Sequence, residues 1–226
     1  MATNQISTHK ATHGALALGA LGILVTCLFY AASPPAAAMP GIFPFNLDLA
    51  VAGAIQGKAT MQAAGAFGVA GDLIFAAGAL LMTIDHVNRG RALAAMGWAA
   101  MALSLMIFTT TDLVVGTVLS QLAIAGNISG FHGFKLFFDA HFLLGGMTFS
   151  VGVLLAFGRD VFERQLTYPR AITLSAMAVA GISILAIIGC WVGISLNKPV
   201  GLSIAAMCVV FIIGSGRTAF RSALAQ

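Results

Sequence analysis

Six apolar runs, each of roughly twenty residues, take up most of this 226-residue chain, and each is long enough as a helix to cross a hydrocarbon layer of about 30 Å. Their continuity decides between the two kinds of fold that a bilayer accepts. A transmembrane barrel needs strands of about ten residues that alternate apolar and polar side chains. These runs do not alternate and are rich in Ala, Leu and Gly. With 59% hydrophobic and 8% charged residues, the chain leaves little for a water-soluble domain. The expected fold is all-α: a single polytopic membrane bundle of six transmembrane helices, over about 14–33, 61–84, 92–123, 131–157, 171–196 and 199–220.

The first run, Gly14 to Ala32, is followed by Ser33-Pro34-Pro35 and an alanine run, which raises the question of a cleaved signal peptide. Its apolar region exceeds the roughly 7–15 residues usual there, so a retained helix is expected. Residues 34–60 form the longest non-spanning stretch, an outer loop in which Ile42 to Gln56 has the composition of a short interfacial helix. Lys10, Arg89, Arg91, Arg159, Arg164, Arg170, Arg217 and Arg221 fall on one side, and Lys58, Lys135 and Lys198 on the other. Because positively charged short loops stay in the cytoplasm, this bias places both termini inside, in a bacterial inner membrane.

The net charge of +4 comes from Lys and Arg dispersed among loops, so nucleic acid is not an expected partner. The expected partners are the lipid bilayer and a second copy or a larger membrane complex. Cys27, Cys190 and Cys208 all lie in apolar runs without metal-ligand spacing and read as small buried hydrophobes. Glycines 65, 68 and 71 and the pair Ala178 and Gly181 recur at helix-face spacing and read as surfaces where helices approach closely. Trp98, Trp191, Tyr30 and Tyr168 read as interfacial anchors.

An ionisable side chain inside a membrane span is costly unless paired or hydrated, which makes each a candidate for function. The set is Asp72 in span two, Asp112 in span three, and His132, Lys135, Asp139 and His141 in span four. At 1.5 Å per residue, Asp72, Asp112 and Asp139 fall roughly 12–17 Å below the outer face. Lys135 and Asp139, four apart, are placed for an intrahelical ion pair. His141 lies about 200° around the helix from Asp139, so Asp72 or Asp112 are its expected partners, with Thr109, Thr110 and Thr111 adding hydrogen bonds beside Asp112. Haem would need two facing axial histidines, whereas His132 and His141 share one helix. A metal would need three or four convergent ligands. No nucleophile elbow, phosphate loop or zinc-protease helix occurs, so no catalytic or metal-binding residue is assigned and no cofactor is named.

The string Phe137-Phe138-Asp139-Ala140-His141-Phe142-Leu143-Leu144-Gly145, with Phe149, Gly152, Tyr168-Pro169-Arg170 and Gly71-Asp72-Leu73, resembles an uncharacterised bacterial family. Its members are hydrophobic proteins of six to seven helices with Asp-x-His in the fourth. The resemblance covers about half the chain. It implies a fold and no activity, and the chain departs from it at Asp112, where members often carry Arg or Asn. The functional expectation is a buried site of Asp72, Asp112, Lys135, Asp139 and His141 that is proton-linked or binds a small ligand. The alternatives are an accessory subunit of a membrane complex, with the cluster as internal glue, and a membrane-embedded enzyme.

Overall fold

The computed structural model describes residues 2–39, 45–163 and 166–224. Ile42 to Pro44 of the outer loop and Arg164 lie outside the described residues, as does the side chain of Arg221. In hydrocarbon no water satisfies a backbone N–H or C=O, so each crossing segment closes its own hydrogen bonds as a helix. Among the described residues there is no strand. Six helices are long and apolar enough to cross a membrane, over His9–Ala32, Lys58–Asn88, Ala92–Ile124, Ile128–Phe162, Arg170–Trp191 and Asn197–Phe220.

These spans belong to α1 (Ala2–Ala32), α4 (Lys58–Asn88), α5 (Ala92–Leu113) with its continuation α6 (Ser120–Ile124), α7 (Ile128–Glu163), α8 (Arg170–Trp191) and α9 (Asn197–Leu224). Between α1 and α4 lie two short helices, α2 (Pro35–Ala38) and α3 (Leu47–Gln56). The side chain of Asn46 accepts from the backbone N–H of Leu49 and so caps α3. Among the described residues three tight turns end in glycine with a left-handed backbone: Gly90 and Gly126, each at φ 68°, and Gly193 at φ 85°. In each, the next residue donates back across the turn, Arg91 to His86 at 2.9 Å, Asn127 to Leu122 at 3.0 Å and Ile194 to Gly189 at 2.9 Å, satisfying carbonyls the helix leaves open.

Around the bundle the principal neighbours follow chain order: α1 packs on α4, α4 on α5, α5 on α7, α7 on α8, α8 on α9, and α9 returns to α1. The result is a closed ring of six spans with no helix in the middle. Small residues allow the close approaches. A side chain added at Gly71 would lie 2.7 Å from the backbone of Ile23, and one at Gly97 2.5 Å from that of Ala156. Ala178, by contrast, is exposed, and a side chain at Gly181 would meet nothing within 4 Å, so that expected packing face points away from the chain.

Towards the amino-terminal end of the bundle, Trp98 and Tyr168 are buried in an aromatic cluster with Phe157 and Phe211. The interfacial role expected for both is therefore corrected. Trp98 stands well inside α5 and points at α7 and α9, and the Tyr168 hydroxyl shares a 2.5 Å hydrogen bond with Ser215. Trp191, exposed at the end of α8, remains compatible with anchoring. Arg91 does more than set topology, since it forms a buried ion pair with Asp160, whose second oxygen accepts from the backbone of Thr167 at 2.9 Å. This pair binds the turn before α5 to the end of α7 and to the segment entering α8.

Removing one partner of a buried ion pair strands the other charge. Asp160→Ala should lower stability by roughly 3–5 kcal/mol, and Arg91→Met with Asp160→Leu should recover most of that loss. Unfolding in detergent followed by circular dichroism measures both, and an unaltered Asp160→Ala protein would exclude the pair as a structural tie.

Candidate functional site

Three glycines create the site. A side chain added at Gly65 on α4 would come within 2.6 Å of the Asp112 carbonyl and of the Gly116 Cα, and one at Gly68 would overlap Asp112 Oδ2. The Asp112 carboxyl therefore occupies space that a side chain at Gly68 would take. Directly after Asp112 the helix widens into a π-helical turn, Val114–Leu119, which brings Gly116 against Gly65. Such turns re-aim side chains within an otherwise regular helix.

Asp112 then meets groups from two other spans. The Tyr30 hydroxyl of α1 donates to Asp112 Oδ1 at 2.5 Å, and Asp72 of α4 lines the same cavity wall. Both carboxyls are buried, with exposures of 1% for Asp72 and 5% for Asp112. Among the described residues no hydroxyl, amide or amine donates to Asp72 Oδ2. Two bare carboxylates close together in the membrane interior would repel with little screening.

The other candidates take separate positions. Lys135 and Asp139 form the ion pair expected from their spacing, 2.6 Å apart and fully buried. The Lys135 ammonium also donates to the Met39 carbonyl at 3.1 Å and lies 5.3 and 5.1 Å from the ring centres of Phe45 and Phe138. It thus fastens the residue that follows α2 and a residue just before α3 to α7. His141 joins neither carboxyl group, contrary to expectation. Its ring stacks on Phe137 at 3.7 Å and its Nδ1 donates to the Phe137 carbonyl at 3.1 Å, because two residues beyond Asp139 the helix has turned it to the far side. His132 is exposed beside Phe45. Thr109, Thr110 and Thr111 bond to carbonyls of their own helix and add nothing to Asp112.

Tyr30 is the site residue that sequence reasoning missed by reading it as an interfacial anchor. A signal existed in Thr26 and Tyr30, one helical turn apart in an apolar run. Thr26 also faces inward and reaches the Ala64 carbonyl of α4 at 3.3 Å.

The carboxyl pair and Tyr30 form part of the wall of a cavity of about 420 Å³ at the centre of the ring, to which all six spans contribute. The rest of the wall is mainly apolar, with Phe75, Phe108, Phe142, Phe149 and Phe211 prominent. Leu28 of α1 and Leu202 of α9 line it while remaining 65% and 71% exposed, so the cavity opens sideways between these two helices. Met39, Asn197 and Lys198 stand at its rim, at the end opposite the amino terminus. Among the described residues no three or more His, Cys, Asp or Glu side chains cluster as metal ligands would. No family model matches the chain, and no curated protein or solved structure matches it either.

A methyl group at Gly68 has to push Asp112 aside. Gly68→Ala should therefore cost about 1–3 kcal/mol through overpacking, while Gly181→Ala, with open space before it, should stay within about 0.5 kcal/mol of the parent. Thermal unfolding in one detergent compares the two, and equal effects would contradict the close fit of Asp112 against α4.

Proposed function

We propose that this multi-pass membrane protein binds a small, mainly apolar molecule in its central cavity, and that binding is linked to the proton held between Asp72 and Asp112. The observation that carries the reading is a ligand-sized space inside the ring with two buried carboxyl groups, Asp72 and Asp112, in its wall. Ligand pockets are characteristically apolar with a few polar groups that fix orientation, and carboxyl chains in membranes serve proton transfer. Asp72, Asp112 and Tyr30 are the ligand-facing groups in this proposal. Lys135 and Asp139 hold Met39 and Phe45, between α2 and α3, in place, and His141 has no part.

The proposal includes a bacterial inner membrane with both termini in the cytoplasm. It is supported by Lys10, Arg89, Arg91, Arg159, Arg170 and Arg217 at the amino-terminal end of the bundle, against Lys58 and Lys198 at the other. It also includes kinship with the uncharacterised family that the Asp-x-His helix resembles. A second reading, an accessory subunit of a membrane complex, draws on Ala178, which is exposed, and Gly181, which has open space before it.

Two measurements test the site. Infrared spectra of the protein in lipid should contain the carbonyl stretch of a protonated carboxyl, lost on raising the pH and altered in Asp72→Asn and Asp112→Asn. The neutral fluorophore N-phenyl-1-naphthylamine should bind the protein in nanodiscs above the level of empty discs. Gly201 lies on the cavity wall with open space before it, so Gly201→Trp should weaken that binding by roughly tenfold, about 1.4 kcal/mol. A spectrum without the carboxyl band, or dye binding indifferent to Gly201→Trp, would refute the reading.

A further inference from the structure

Building on the reading of the cavity as a proton-linked site, we propose that its ligand is a lipophilic organic monocation, such as a tertiary or quaternary amine, taken up in exchange for one proton of the Asp72 and Asp112 pair. Size comes first. At about 420 Å³ the cavity lies within the roughly 300–1,000 Å³ common for small-molecule sites. Its aromatic wall suits a cation with apolar substituents, since ring faces attract positive charge and the substituents remove apolar surface from water. The lateral opening between Leu28 and Leu202 suits a molecule that partitions into the bilayer before it enters.

Charge fixes the sign. The groups that face the carboxyl pair are Tyr30 and Cys27 from α1 and Cys208 from α9, all neutral in their protonated forms, while the α7 and α8 walls offer Ser150 and Ser183. Lys135 is committed to Asp139 and to the Met39 carbonyl, and Lys198 is exposed at the rim, where its long stem lets the ammonium reach the interface. No described cation therefore sits on the pair. Asp72 Oδ2, 1% exposed on the cavity wall, lacks a hydroxyl, amide or amine donor and offers an acceptor to a ligand.

Neutrality in a low-dielectric interior then sets the exchange. An empty site is neutral with both carboxyls protonated. A site holding one monocation is neutral with one proton, so the second proton leaves to solvent as the cation arrives. No covalent bond other than O–H is broken, and the total charge of the site is unchanged.

Tetraphenylphosphonium and tetraphenylborate have nearly the same size and shape and opposite charge. With purified protein in nanodiscs, the phosphonium should bind and the borate should not. Calorimetry in buffers of different ionisation enthalpy should count one proton released per phosphonium bound. Affinity should fall towards tenfold for each unit of lowered pH in the range where both carboxyls are protonated. Asp72→Asn combined with Asp112→Asn, which keeps the shape and leaves neither carboxyl, should abolish both phosphonium binding and the proton release. Equal binding of the two ions, phosphonium binding without proton release, or no phosphonium binding would overturn the cation assignment. If that happens while N-phenyl-1-naphthylamine still binds and the carboxyl band persists, only the ligand class is wrong. If the neutral dye is also excluded, the cavity reading falls with it.

Discussion

A charged or strongly polar side chain in hydrocarbon has to find its partner within the protein, and this requirement shapes the bundle at three levels. Arg91 and Asp160 meet near the amino-terminal end, Asp72, Asp112 and Tyr30 meet deeper inside, and Lys135 and Asp139 meet beneath Met39 and Phe45. The first joins a turn to α7, the second joins three spans, and the third joins a span to the segments around the short helices. Apolar packing alone would let helices in lipid slide or rotate with little penalty, since lipid tails are as apolar as leucine. The polar contacts fix register where packing is permissive.

Glycine makes the middle level possible. The Asp112 carboxyl sits where a side chain at Gly68 would be, and Gly65 and Gly116 let the two backbones approach far enough for Asp72 and Asp112 to share one cavity wall. The π-helical turn belongs to the same arrangement, because it sets the direction in which α5 continues after its acidic residue. Site and packing surface are here one object, and a substitution at the glycines acts on both.

What could be read from the sequence was whatever depends on local spacing. Six continuous apolar runs become six crossing helices, and residues four apart in one helix, Lys135 and Asp139, become an ion pair. What could not be read depends on which helices are neighbours and how each is rotated. His141 was expected beside a carboxylate but stacks on Phe137, and Tyr30 was assigned to the interface but points at Asp112. Trp98 and Tyr168 were misplaced for the same reason: an aromatic near a span end fits both an interfacial belt and a core, and only the neighbouring helix decides. The pairing of Asp160 with Arg91 likewise depends on which helices meet.

The chain-order ring also has a kinetic meaning. Each span from α4 to α9 can dock on the one synthesised just before it, so nearly all of the wall forms from short-range encounters of the kind that assemble quickly. The contact of α1 with α9 is different: it joins the first and the sixth of these spans and forms only once α9 has been made. That seam is also where Leu28 and Leu202 frame the opening. The seam of the ring that is farthest apart in sequence and the place where a molecule would enter it are therefore the same.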